Sequence, residues 1–188
     1  EKVKIFLKSI WKYVKTRKVT RWNVLTIIAL LISVLASFPI LSKFYIYYSY
    51  APPLDITIGS FNTTIPWSQI YGPNGSIAGI AIINKDVDRD MTVQMEIKVN
   101  DTVQLRPNMQ NYFETVPTRN GFMFRLITSL YLPANGGGGP TFPFEPLDAS
   151  LKIDITVYPT MKMSEFGLPT FFGDVELQSF TKEFIVVP

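Results

Sequence analysis

Met91 to Val99 reads MTVQMEIKV, and it alternates: Val93, Met95, Ile97 and Val99 face one way, Thr92, Gln94, Glu96 and Lys98 the other. Successive side chains of a β-strand leave opposite faces, so a period of two marks a half-buried strand. The same period recurs in SLKIDITVY (Ser150 to Tyr158), with Leu151, Ile153, Ile155 and Val157 inward, and in FMFRLITSLYL (Phe122 to Leu132), read as one strand. Leu54 to Phe61, Ser76 to Asn84 and Phe180 to Val187 extend the series, with one or two short edge strands expected from Val103 to Leu105, Tyr112 to Val116 or Val175 to Leu177. Short strands separated by Gly, Pro and Asn predict an all-β sandwich, immunoglobulin- or fibronectin-like in layout.

Upstream the pattern is different. Trp22 to Ser42, WNVLTIIALLISVLASFPILS, is 21 residues without a charge, enough helix to cross the roughly 30 Å hydrocarbon layer of a bilayer. Phe44, Tyr45, Tyr47, Tyr48 and Tyr50 follow it as the aromatics of a membrane–water interface. Eight Lys/Arg precede the span and Lys43 alone closely follows it, which predicts a cytoplasmic N-terminus and an extracytoplasmic C-terminal domain. The expected division is a basic arm (1–21), a transmembrane helix with its aromatic interface (22–50), a stiff stalk (51–53) and a β-sandwich (54–188). In the arm, Lys4, Lys8, Lys12 and Lys15 form one helical stripe and Trp11 belongs to an apolar one. That is the pattern of a helix lying on an anionic leaflet, with the lipid bilayer as partner.

Charge and missing residues narrow the chemistry. The overall +3 averages a basic arm with a domain of nine basic and fourteen acidic residues after Lys43, so the high isoelectric point does not indicate nucleic-acid binding. The chain has no Cys and no His. Thiol nucleophiles, disulfides, Cys/His zinc sites, blue-copper sites, His-ligated haem and His general bases all need those residues. No cofactor is expected, and the expectation is a non-enzyme.

Four further features remain. NKDVDRDM (Asn84 to Met91) places Asp86, Asp88 and Asp90 at alternate positions, as a calcium loop would. A loop of the EF-hand kind starting at Asp86 wants Gly at its sixth position and Glu at its twelfth, and finds Met91 and Ile97; a solvated hairpin turn between two strands is the expected reading. ANGGGGP (Ala134 to Pro140) lacks the Gly-Lys-Ser/Thr ending of a phosphate loop and reads as flexible. Phe142, Phe144, Phe166, Phe171 and Phe172 lie in loops, either tucked over the end of the sandwich or forming a partner-contact surface. Acceptor sequons for N-glycans occur at Asn62, Asn74 and Asn100, all on the expected outer side. A glycosylated outer domain without disulfides points toward an archaeal source.

With its basic arm, single span and outer sandwich, the chain resembles membrane-anchored proteins carrying a late-embryogenesis-abundant-14-like domain, and GIAIINKDVDRDMTVQMEIKVND (Gly79 to Asp101) looks like the strand-turn-strand of such sandwiches. It is similar in architecture to the single-span stator subunits of the archaeal motility filament, and, as a further comparison, to a copper-less subunit II of haem-copper oxidases. The empty catalytic inventory, the aromatic loops and the amphipathic arm lead to the expectation of a non-catalytic accessory subunit of a membrane or cell-surface complex, contacting other protein subunits outside. The alternatives are an adhesion module for glycans or a surface layer, and a copper-less subunit II-like component of a respiratory oxidase.

Overall fold

The computed structural model describes Lys8 and residues 21–99 and 101–188. Lys8 is helical and exposed, whereas Lys4, Trp11, Lys12, Lys15 and Asn100 lie outside the described residues. The chain divides into two compact units, Glu1–Phe44 and Tyr45–Pro188.

Helix α1 (Arg21–Ser49) carries the apolar run and contains Pro39. Its large side chains stand exposed all round, Leu25, Leu30, Leu35 and Ile40 among them, and the segment Asn23–Ser49 is long and apolar enough to cross a membrane. Ser33 and Ser37 donate their hydroxyls to the carbonyls of Ala29 and Ser33, at 2.9 and 2.7 Å, so neither hydroxyl needs water. The helix continues past the expected span, and its last turn, from Tyr45, belongs to the second unit, where Ile46 is buried.

That unit is mostly β-sheet. Its elements are β1 (Leu54–Ile58), β2 (Thr64–Pro66), the short α2 (Trp67–Ile70), β3 (Ile80–Asn84), β4 (Met91–Val99), β5 (Phe113–Thr118), β6 (Gly121–Leu126), β7 (Leu130–Leu132), β8 (Gly137–Gly138), β9 (Leu151–Lys162), β10 (Asp174–Glu176) and β11 (Phe180–Val187). One sheet runs β1-β3-β8; the other runs β2-β11-β9-β4-β6-β5, with β7 on β4 and β10 on β9. Neither sheet closes. Alternation works as expected: Ile56, Ile58, Ile80 and Ile82 of the small sheet and Val93, Met95, Ile97, Ile153, Ile155 and Phe184 of the large one join a single buried cluster. Each such side chain contributes about 1.5–3 kcal/mol on burial.

Four local readings change. Phe122 to Leu132 is two strands: β6 and β7 pair with the same edge of β4, at Glu96–Val99 and Met91–Val93, and the chain bulges between them. Gln94 fills the gap, donating to the Leu126 carbonyl and accepting from Ser129 Oγ at 3.0 Å. Second, the strand starting at Leu151 does not stop at Tyr158 but runs to Lys162 through Pro159. The Pro159 carbonyl accepts from Leu177 N–H at 2.9 Å, and the N–H and C=O of one residue in an antiparallel strand share an edge. The missing donor therefore faces the gap between the end of β10 and the start of β11, where no strand requires it.

Third, the glycine run is an edge strand. Gly137 and Gly138 pair with Ile83 and Ile82, and a Cβ on Gly139 would lie 1.8 Å from the Ile80 carbonyl oxygen. Only glycine lets the two backbones approach so closely. Fourth, Asn84 to Met91 is not a hairpin turn. It carries the chain from the small sheet into the large one, because β3 and β4 belong to different sheets. Val103 to Leu105 forms no strand, only a bridge from Leu105 to Phe144. The stalk is hydrogen-bonded to the domain: Lys85 N–H donates to the Pro53 carbonyl at 2.8 Å.

Candidate functional site

The crossover Asn84 to Met91 is where the polar chemistry of the β-rich unit concentrates. Asp86 is buried, 8% exposed. One of its oxygens accepts the Asp88 and Arg89 amides at 2.9 and 3.2 Å, closing a local turn. The other accepts the hydroxyl of Tyr50, the residue just beyond α1, and Arg89 Nη1 at 3.2 Å. Arg89 also donates from Nε to the Glu165 carbonyl at 3.2 Å, and its guanidinium lies 5.5 Å from the Tyr50 ring and 5.4 Å from the Phe166 ring. Those rings meet edge to face at 5.2 Å. Asn84, fully buried, donates to the Arg89 and Pro133 carbonyls at 2.8 and 3.1 Å and accepts the Asp86 amide at 3.0 Å. Asp90 turns elsewhere, accepting Ala134 N–H at 2.8 Å and the Tyr131 hydroxyl.

Charge and burial are balanced within this joint. Burial works against the Asp86 anion, but the hydrogen bonds from Tyr50, Asp88 N–H and Arg89 outweigh it and hold the carboxyl below its ordinary pKa. Burial first, and the Asp86 carboxylate second, push the Tyr50 phenol well above its ordinary value. Burial opposes the Arg89 cation, and Asp86 more than compensates, so its pKa is raised. At neutral pH the set is a phenol, a carboxylate and a guanidinium, each satisfied by the others. The Tyr50 phenol is shifted away from base or nucleophile chemistry.

Nor do the three aspartates converge on a metal. Asp86 is committed to Tyr50 and Arg89, Asp90 to Tyr131 and Ala134, and Asp88 is exposed. Among the described residues no group of three acids could hold an ion.

The loop phenylalanines separate into two kinds. Phe142 and Phe144 are fully buried, so of their two readings the tucked one holds and the partner-contact one does not. Phe142 meets Trp67 at 5.9 Å and Phe144 at 5.5 Å, and Phe144 meets Phe124 at 5.1 Å, all edge to face. Trp67 and Tyr71 of the α2 region satisfy their polar tips on the same segment, at the Ala149 and Phe144 carbonyls. Phe166 and Phe172 are half-buried against the core, whereas Phe171 is 82% exposed. The sequon residues Asn62 and Asn74 are exposed.

Two other clusters stand outside this joint. Asp55 on β1 binds Lys182 on β11 and Lys85, both at 2.8 Å, and so ties the two sheets together. On the large sheet an open groove of about 630 Å³ is lined by Gln94, Glu96, Arg125, Tyr158 and Glu176 among others. There Glu96 binds Arg125 and accepts from Tyr158 at 2.8 Å.

Sequence reasoning missed Tyr50 and Arg89 as members of one site. A signal was present at Asn84, a polar residue at the inward parity of Ile80 and Ile82. An amide in an apolar row needs partners, and here it finds three. Comparison of the chain with protein-family models, with curated proteins and with solved structures gives no match.

Proposed function

We propose that this protein is a single-pass, membrane-anchored, non-catalytic accessory subunit of a membrane or cell-surface complex. The N-terminal arm is cytoplasmic, and the domain lies outside as a two-layer sandwich of immunoglobulin-like type whose surface meets other subunits. The observation that carries this reading is α1, a helix whose apolar side chains are exposed on every side and therefore require lipid or protein around them. The joint supports it, because its ionisable groups are consumed in holding three loops together. N-glycans at Asn62, Asn74 and Asn100 belong to the same reading, as does an anionic inner leaflet beneath the arm. Native electrophoresis and mass spectrometry of gentle detergent extracts test it: co-migrating subunits are expected, and a lone species near 21.4 kDa plus glycan sinks it.

The groove beside Glu96, Arg125 and Tyr158 favours a second reading, a glycan or surface-layer binding module, since an aromatic edge beside paired polar groups suits sugars. Glycan-array binding lost in Tyr158→Ala would favour it over the first.

A further inference from the structure

Three short elements converge on Tyr50, and each presents a large apolar side chain to solvent. The last turn of α1, immediately before Tyr50, carries Tyr45 and Tyr48, 72% and 64% exposed. The crossover, tied to Tyr50 by Asp86, carries Val87 at its tip, 70% exposed. The segment from Met163 to Gly173, tied to Tyr50 by Phe166, carries Phe171, the most exposed large apolar side chain among the described residues. That segment is anchored at both ends: Met163 N–H donates to the Gly173 carbonyl at 3.0 Å, and beyond it Gln178 reaches the Tyr47 carbonyl at 3.2 Å.

Position along the chain indicates what covers these tips. Tyr45 to Ser49 form the end of the segment long and apolar enough to span a membrane, and the end of a span lies at the membrane–water interface. Groups packed against Tyr47 and Tyr50 are held at that same level. A phenylalanine or valine at a loop tip costs free energy in water and gains it among acyl chains and headgroups.

We infer that Tyr45, Tyr48, Val87 and Phe171 form an apolar collar that seats the outer domain in the lipid interface, so that the protein contacts the bilayer through two loops as well as through its helix. The collar rests on the reading of α1 as a span, and the test separates the two. Because the chain has no cysteine, single nitroxide labels can be placed on this chain, its helix included, in phosphatidylcholine–phosphatidylglycerol vesicles at Val87→Cys, Phe171→Cys, Leu31→Cys and Arg119→Cys. Leu31 lies within the span and Arg119 in the turn between β5 and β6, beside the far end of β4. Labels at 87 and 171 are expected to favour oxygen over an aqueous nickel chelate several-fold more than the label at 119, approaching the label at 31.

A water-like response at 171 with a lipid-like one at 31 overturns the collar alone. Protection at 171 from both reagents overturns it too, because the tip is then covered by protein. A water-like response at 31 removes the anchor and the collar together. Phe171→Trp quenched by brominated lipid is the label-free equivalent, and absence of quenching counts against the collar in the same way.

Discussion

The Tyr50 hydroxyl donates to the buried carboxylate of Asp86, 36 residues further along the chain, and the same oxygen is shared with Arg89. Removing the hydroxyl in Tyr50→Phe keeps the ring against Phe166 and should cost about 1–2 kcal/mol. Asp86→Asn should cost more, about 2–4 kcal/mol, because Arg89 is left without its carboxylate. In a double-mutant cycle by denaturant unfolding the pair should couple by about 1 kcal/mol or more; additive losses would show that the contact contributes nothing.

Acid should weaken the fold through two carboxyls. Hydrogen bonds from Lys182 and then Lys85 hold Asp55 down at about 2, and Asp86 is also depressed. A depressed folded pKa means stability that is present above the unfolded value near 4 and lost as pH falls through the folded one. Thermal stability should therefore fall most steeply between about pH 4 and 2. Asp55→Asn should lose about 1–2 kcal/mol at pH 7 and flatten that fall. Tyr50 has the opposite sign: its raised pKa protects the joint until pH rises above about 10, the ordinary phenol value.

Glycine at 139 should be irreplaceable. A Cβ there meets the Ile80 carbonyl, so Gly139→Ala should cost about 3 kcal/mol or more. Gly75, with φ +71° and open space around it, should lose about 1 kcal/mol in Gly75→Ala from backbone strain alone. If Gly139→Ala melted like the parent, the run would be a loose loop after all.

Gln94 should matter more than an outward-facing strand residue ordinarily does. Gln94→Leu leaves the Leu126 carbonyl and Ser129 hydroxyl without their partner, at a cost of about 1–2 kcal/mol. Hydrogen exchange should quicken at Ile127 to Ser129 while the centre of β9 stays protected; uniform exchange across the sheet would contradict the bulge.

Calcium should do nothing. Millimolar calcium is expected to leave the melting temperature unchanged, and Asp88→Asn to stay within about 0.5 kcal/mol of the parent. A calcium-dependent rise abolished by that substitution would restore the metal reading of the acidic run.

Much of this architecture was legible from period and composition. The apolar run predicted the helix because its length and lack of charge are local properties. Met91–Val99 and Phe180–Val187 emerge with the bounds that alternation gave them. The bulge between β6 and β7 was invisible for a definite reason: Gln94 and Met95 on β4 face four residues, Leu126 to Ser129, and an insertion of two leaves the inward parity of Phe124, Leu126, Leu130 and Leu132 unbroken. That β9 continues through Pro159 was not legible, because the harm a proline does depends on which edge its missing donor faces. The glycine run misled because close approach of two backbones leaves no mark on either strand's sequence.

The acidic run shows the division most clearly. Alternating aspartates in a turn are equally compatible with solvent, with an ion or with buried partners, since a carboxylate accepts from all three. The choice depended on Tyr50 arriving at the end of a helix and Phe166 within a distant loop, contacts 36 and 116 residues apart along the chain. Local periodicity determined which segments are helix and strand, because it follows from backbone geometry; which polar groups meet was decided only when the sheets packed and brought remote residues to one place.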